Sequence, residues 1–157
     1  MNINIKIKNF EKEDILTYKI LAFNRITKVL KTNKQIRYRV LVIVGNKVNK
    51  IGFGLVKANE LSVAIRKAIL KAKKNVFKIK LTKEKTILYS KVIKYKSSKL
   101  ICKPVKADYG LVANDTIKTI CRLVGIRNVI IKSFGSRNII NMTKAIYFVL
   151  KQFELIE

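Results

Sequence analysis

A chain of 157 residues suits one domain or two small ones that share a partner. Apolar residues make up 49% of it, too many for a disordered basic tail, and no stretch approaches the roughly 20 apolar residues of a membrane-spanning helix. With 35 Lys+Arg against 9 Asp+Glu, the formal charge of +26 must be displayed on a fold that repels itself until an anionic partner relieves it.

Residues 1–15 alternate apolar and polar side chains at their start and read as an extended arm without a signal-peptide core. The chain is therefore expected to be made in the compartment where it works. Residues 18–31 alternate as a strand, with Ile20, Ala22, Asn24 and Ile26 on one face and Lys19, Leu21, Phe23 and Arg25 on the other. Lys31-Thr32-Asn33-Lys34 is a polar turn. In the next strand Ile36, Tyr38, Val40, Val42 and Val44 share a face, opposite Arg37, Arg39, Leu41 and Ile43. A turn opening at Gly45-Asn46 leads to a strand that ends in Gly52-Phe53-Gly54. Asn59 or Ser62 is expected to cap the first helix. There Ile65, Ile69, Ala72 and Val76 form the packing face. Lys67, Lys71, Lys74 and Lys78, widened by Arg66 and Lys73, form a ridge about 200° around. Glu60 is this helix's one acid, which makes the ridge an unbalanced solubility face.

Residues 79–85 read as a connector, with a boundary near Lys80. Residues 86–95 and 99–105 read as a strand pair about Lys96-Ser97-Ser98. A loop (106–110), a helix (about 114–124), a strand (128–133) and a last helix (about 138–153) follow. Ile117, Ile120, Cys121 and Val124 make one apolar stripe; Met142, Ala145, Ile146, Val149 and Phe153 make another. Two helices over one small sheet give an α+β sandwich.

A strand-strand-helix unit in so cationic a chain points to structured RNA. Such binding needs cations spaced along phosphates and small residues that admit the backbone near the sugar edge. Arg25, Lys28, Lys34, Arg37 and Arg39, with Asn24, form a candidate patch beside the Lys31-Thr32-Asn33 loop. Gly52 and Gly54, flanked by Lys50 and Lys57, offer close approach, and Phe53 between them either stacks on a base or packs in the core. Arg66, Lys67, Lys73 and Lys74 extend the surface along the ridge. Ahead of the last helix, Lys132, Ser133, Gly135, Ser136, Arg137 and Asn138 offer cations, hydroxyls and amides where free N–H groups suit a phosphate. Asn138 or Asn141 would also serve there as an ordinary N-cap.

Other chemistry finds little support. Cys102 and Cys121 form no C-x-x-C pair, and the chain has no histidine to complete a common zinc site. Both are expected to be buried thiols, with no metal or other cofactor. There is no Gly-x-x-x-x-Gly-Lys-Ser/Thr run, and the nine acids form no paired acid–base constellation, which argues against an enzyme.

Three anchors carry a resemblance by their order and spacing. The first is Asn24-Arg25-Ile26-Thr27-Lys28, like an N-R-V-S-K strand. The second, Val42-Ile43-Val44-Gly45-Asn46 leading into Ile51-Gly52-Phe53-Gly54 and Lys57-Ala58-Asn59-Glu60, is close to V-G-D-x-x-G-x-V-G-x-G…K-A-x-E. The third comprises Lys103-Pro104, Gly110, Leu123-Val124-Gly125-Ile126 and Lys132-Ser133-Phe134-Gly135-Ser136. From about Leu16 to Phe153 the chain resembles the bacterial-type small-subunit ribosomal protein five family.

The resemblance implies an N-terminal β-β-β-α module related to double-stranded-RNA-binding domains (16–80) and a C-terminal βαβα two-layer sandwich (81–157). It implies a structural protein that binds and bridges small-subunit rRNA near the channel through which mRNA enters. Neighbours would be the family-four and family-eight small-subunit proteins, the former facing Lys103, Pro104, Lys106 and Gly110, with mRNA a further contact. Assembly and translational accuracy would be the processes served. Several family glycines are replaced, by Thr32-Asn33, Asn49, Val56 and Asp108-Tyr109. Asparagine tolerates left-handed backbone, whereas valine at 56 requires plain strand. Lysine outnumbers arginine 28 to 7, and Lys, Ile and Asn have A/T-rich codons. That points to a ribosome in a plastid-derived organelle (apicoplast or plastid), a mitochondrion, or the cytoplasm of a reduced bacterium. A free RNA chaperone has the same composition, and stable residence in the small subunit is what separates the two.

Overall fold

The computed structural model describes residues 15–31 and 33–154, so all of the expected N-terminal arm but Ile15 lies outside the described residues. One antiparallel sheet runs in the order β1 (Thr17–Val29), β2 (Lys34–Gly45), β3 (Lys50–Ala58) and β4 (Phe77–Lys78). Helix α1 (Leu61–Lys74) lies between the last two strands in sequence. The second sheet contains β5 (Lys91–Tyr95), β6 (Ser98–Pro104), β7 (Leu111–Val112) and β8 (Val129–Gly135), in the spatial order β5-β6-β8-β7. Helix α2 (Asp115–Val124) joins β7 to its parallel neighbour β8, and α3 (Ile139–Lys151) follows. The arrangement is the expected α+β one, a β-β-β-α module and then a sheet-and-helix unit.

The apolar run Val40-Leu41-Val42-Ile43-Val44 in β2 is at most 1% exposed at every position. A strand with one wet face alternates; this one is covered on both faces and does not. On one side Val40, Val42 and Val44 pack with Ala64, Ala68 and Ala72 of α1. On the other, Ile43 joins Ile51, Phe77 and Ile79 in a core that continues through Leu100, Ile120, Val124 and Ile146. The two halves of the chain thus share one core. Backbone contact seals their junction: Lys47 N–H donates to Leu123 O at 2.9 Å, and a Cβ on Gly45 would lie 2.3 Å from the same oxygen.

The buried face of helix α1 is rotated from the one its isoleucines suggest, with Ala72 common to both. Ala64, Ala68 and Ala72 point at the sheet, while Ile65 and Ile69 sit half-buried at its rim. The strand beneath supplies the matching room, because a Cβ on Gly54 would lie 2.1 Å from Ala68 O and one on Gly52 would lie 2.1 Å from Ala72 O. Glu60, not Asn59 or Ser62, occupies the N-cap. The helix is capped at Asn75, which places Lys78 in β4 and off the ridge.

Two further differences have simple causes. A β-bulge in β1 leaves Leu21 without a register partner between Ile20 and Ala22, so the alternation reverses and Ile20 faces away from Ala22, Asn24 and Ile26. Strand β5 begins at Lys91 because Thr86 and Ile87 are drawn into the interior as irregular backbone. Among the described residues, the replaced glycines are accommodated. Asn46 Oδ1 accepts the N–H groups of Val48, Asn49 and Lys50 at 3.0, 3.0 and 2.8 Å, Lys47 and Asp108 take positive φ, and Val56 is plain strand opposite Val40.

Cys102 and Cys121 are free and buried. Desolvation pushes both thiols from an ordinary 9.0 up to about 12, with a further contribution from Cys102 at Cys121. The folded state therefore keeps protons that the unfolded chain releases. The stability this contributes is whole below about pH 9 and is lost as the pH rises toward 12. Neither cysteine should react with a thiol reagent at pH 8 in native protein, and both should react in denaturant; labelling of the native protein would contradict their burial. Gly54→Ala should lower stability by about 2–3 kcal/mol, read as a reduced urea midpoint at unchanged slope. A variant as stable as wild type would mean that α1 does not rest on this glycine.

Candidate nucleic-acid interface

The three long strands of the first sheet contain no acidic residue. Which of their cations meet is decided by register, since residues directly opposite in an antiparallel pair share a face. Lys28 pairs with Gln35, Ile26 with Arg37, and Asn24 with Arg39, which in turn pairs with Lys57. Asn24, Lys28, Arg37, Arg39 and Lys57 therefore come together on the face turned away from α1. Arg25, opposite Tyr38, and Lys34, opposite Val29, fall on the other side. The patch expected from sequence is split between two faces. Along β2, Arg37 is exposed, Arg39 half-buried, and Leu41 and Ile43 buried, so the cations begin where the cover from the second half ends. At the β1–β2 turn Lys31 and Asn33 are exposed, with Leu30 N–H donating to Asn33 O at 2.8 Å; Thr32 lies outside the described residues.

Gly52 and Gly54 do not offer the open edge expected of them. Both are buried under α1, and close helix–strand packing is the reason for glycine at these positions. Phe53 points to the opposite face and packs on Tyr147 of α3, ring centroids 5.6 Å apart, while Phe77 meets the same tyrosine edge-on at 5.3 Å. Of the two expectations for Phe53, it is the core that holds. Lys50 is half-buried at the start of β3, in register with Lys78.

On α1, Arg66, Lys67 and Lys74 are exposed and Lys73 is half-buried. Lys71 Nζ donates to Leu55 O at 3.3 Å, which ties that lysine to the sheet. Lys71, Lys73 and Lys74 occupy the last turn, where cations suit the carbonyl end of the helix dipole. That accounts for part of the ridge without a partner. Arg66 and Lys67, a turn or more earlier, have no such local reason.

In the second half, Lys132 is exposed on β8 and Ser133 is half-buried beside it. The turn into α3 is stitched to itself and to the β5–β6 hairpin. Gly135 has φ 82°, Ser136 N–H donates to Ser97 O at 3.0 Å, and Ser98 Oγ donates to Ser136 O at 3.0 Å. Ser136 Oγ accepts from Asn138 N–H at 3.2 Å, and Asn138 Oδ1 caps α3 by accepting from Ile140 N–H at 3.0 Å. The side-chain acceptors are engaged within the turn, which leaves Lys132 and Arg137 as its exposed cations.

Lys103 is exposed on β6, and Pro104 and Lys106 border an open hollow with Thr82, Thr86 and Val105. Sequence reasoning passed over the residue that fixes this region. Asn128 Nδ2 donates to Glu84 O at 2.8 Å, and its Oδ1 accepts from Gly110 N–H at 3.1 Å. It thereby pins the loop of Lys106 and Gly110 to the segment before β5. Its signal was a lone polar residue directly ahead of the apolar run of β8. Among the described residues, no group of three His, Cys, Asp or Glu could hold a metal ion, and no helix is long and apolar enough to cross a membrane.

Comparison with known proteins matches both halves. The family model described as ribosomal protein S5, N-terminal domain, covers residues 16–80, and that described as ribosomal protein S5, C-terminal domain, covers residues 93–157. Small ribosomal subunit protein uS5 of Chlamydia pneumoniae is 39% identical over 140 residues, spanning 89% of this chain and 85% of the relative. The proteins of the same name from Chlamydia caviae and Chlamydia felis are 36% and 37% identical over the same shares. With both halves of its fold matched and the identity spread over most of its length, the chain belongs to the ribosomal protein S5 family.

Proposed function

We propose that this chain binds and bridges small-subunit rRNA, using α1 and the open cationic end of the β1–β3 face as contact surfaces. As a member of its family it is a structural constituent of the small ribosomal subunit and not an enzyme. One observation carries the rRNA reading: β1, β2, β3 and α1 together contain no carboxylate. Surfaces of that kind repel themselves until they meet phosphates, and release of the cations condensed on the nucleic acid drives binding.

The finer placement extends this reading from the family resemblance. The chain sits near the channel through which mRNA enters and supports assembly and accuracy. Its neighbours there are the family-four and family-eight proteins, the former meeting Lys103, Pro104, Lys106 and Gly110. The Chlamydia relatives suit the ribosome of a reduced bacterium, and the lysine-rich composition suits equally a plastid-derived organelle or a mitochondrion.

Arg66→Glu combined with Lys73→Glu tests the helix. The fold should survive, since Lys73→Glu costs at most about 1 kcal/mol through the helix dipole. Affinity for a small-subunit rRNA transcript should fall by about tenfold or more, and the slope of log K against log salt should flatten by about 2. Incorporation into reconstituted small subunits should fall in parallel. A double variant that binds and incorporates normally would remove α1 from the rRNA surface.

A further inference from the structure

Phe148 of α3 is 44% exposed, yet it is not a loose surface residue. Its ring lies 5.5 Å from that of Tyr95 on β5, tilted by 33°, and 6.0 Å from that of Tyr147 on its own helix, edge-on. Tyr147 in turn leans on Phe53 and Phe77, so the exposed ring is braced through the core that joins the two halves. Two lysines flank it at helical spacing, Lys144 a turn before and Lys151 a turn after. Lys144 Nζ stands 5.8 Å from the centre of the Tyr95 ring, which sets that ammonium beside the aromatic pair. No acidic residue lies in β5, β6, β8 or α3. The nearest one along the chain from Phe148, Glu154, lies beyond the helix in a bridge to Ile79.

Burial alone does not explain the ring, since nearly half of it is wet, and a lysine face needs no aromatic. The outward row of α3, Asn141, Lys144, Phe148 and Lys151, has no continuous apolar stripe, so it does not suit a partner helix. It does suit a nucleotide. An unpaired base offers a flat π-face to the ring, and the phosphates on either side of that base meet the two ammonium groups. Because Tyr95 and Tyr147 already hold the ring in place, little side-chain freedom is lost on binding. We infer that Phe148, with Tyr95 beside it and Lys144 and Lys151 flanking it, is a stacking site for one unpaired base of rRNA. This rests on the rRNA-binding reading and deepens it, by adding contact to a base, from the second half of the chain, to the neutralisation of phosphate.

The chain has no tryptophan, so Phe148→Trp in the full chain puts a lone indole emitter at the site and keeps a face for stacking. A small-subunit rRNA transcript should quench that emission strongly once absorption by the RNA is corrected. Inorganic polyphosphate, which has the charge but no bases, should bind and leave it unchanged. Phe148→Leu should melt near the wild-type temperature and bind the transcript about tenfold more weakly. Its slope of log K against log salt should be unchanged, because no cation is lost. Phe148→Tyr, which keeps the ring, should bind like wild type. Equal quenching by polyphosphate, or none by the bound transcript, would overturn the inference. So would Phe148→Leu binding the transcript like wild type; loss of that variant from reconstituted subunits would then mark the ring as a contact to a protein. Failure of the wild-type protein to bind the transcript at all would overturn the proposed function, and the inference with it.

Discussion

Strand β2 is walled in on both faces over residues 40–44, and the rest of the molecule is arranged around that burial. Each Val, Leu or Ile there gains about 1.5–3 kcal/mol by leaving water, so the segment is a large share of what holds the fold. Covering one face demands a helix that comes close, hence alanines on α1 and glycines at 52 and 54. Covering the other demands that the second half of the chain dock on the first, hence the backbone contact between the β2–β3 turn and the end of α2. Two sequence halves matched by separate family models are, physically, joined through one core.

The same burial dictates where charge can go. A cation cannot stand beside Leu41 or Ile43 without losing its hydration, so Arg37 and Arg39 take the uncovered end of the strand, and their register gathers Asn24, Lys28 and Lys57 around them. Nothing acidic balances them within that sheet. Charge of this kind weakens the free chain and strengthens its complex. On the proposed function, the molecule is one half of an interface whose other half is polyphosphate.

Much of this was legible in the residues. The unbroken 40–44 run, the stripes of α2 and α3, and the charge excess each have a single physical meaning. What failed did so where the meaning is relational. Ile65 and Ile69 look like a packing face until the glycines on the facing strand show that backbone-close alanines fit instead. Gly52 and Gly54 look like an approach route for RNA until α1 is laid on them. The bulge at Leu21 is one extra residue with no special composition, yet it reverses every face assignment across it and splits Arg25 from Arg37. Asn128 is a polar side chain whose two partners, Glu84 and Gly110, are distant in sequence and invisible to any local pattern.

The central claim is that this chain resides in the small ribosomal subunit and is held there by phosphate neutralisation. Sedimentation of a native lysate through a sucrose gradient at near-physiological salt, with fractions probed for this protein, tests it most directly. The account requires co-migration with the small subunit that persists through a moderate-salt wash and is lost only as high salt screens the phosphate contacts. Recovery at the top of the gradient, with shifts that depend on free RNA, would contradict it and make the chain an RNA-binding factor outside the ribosome.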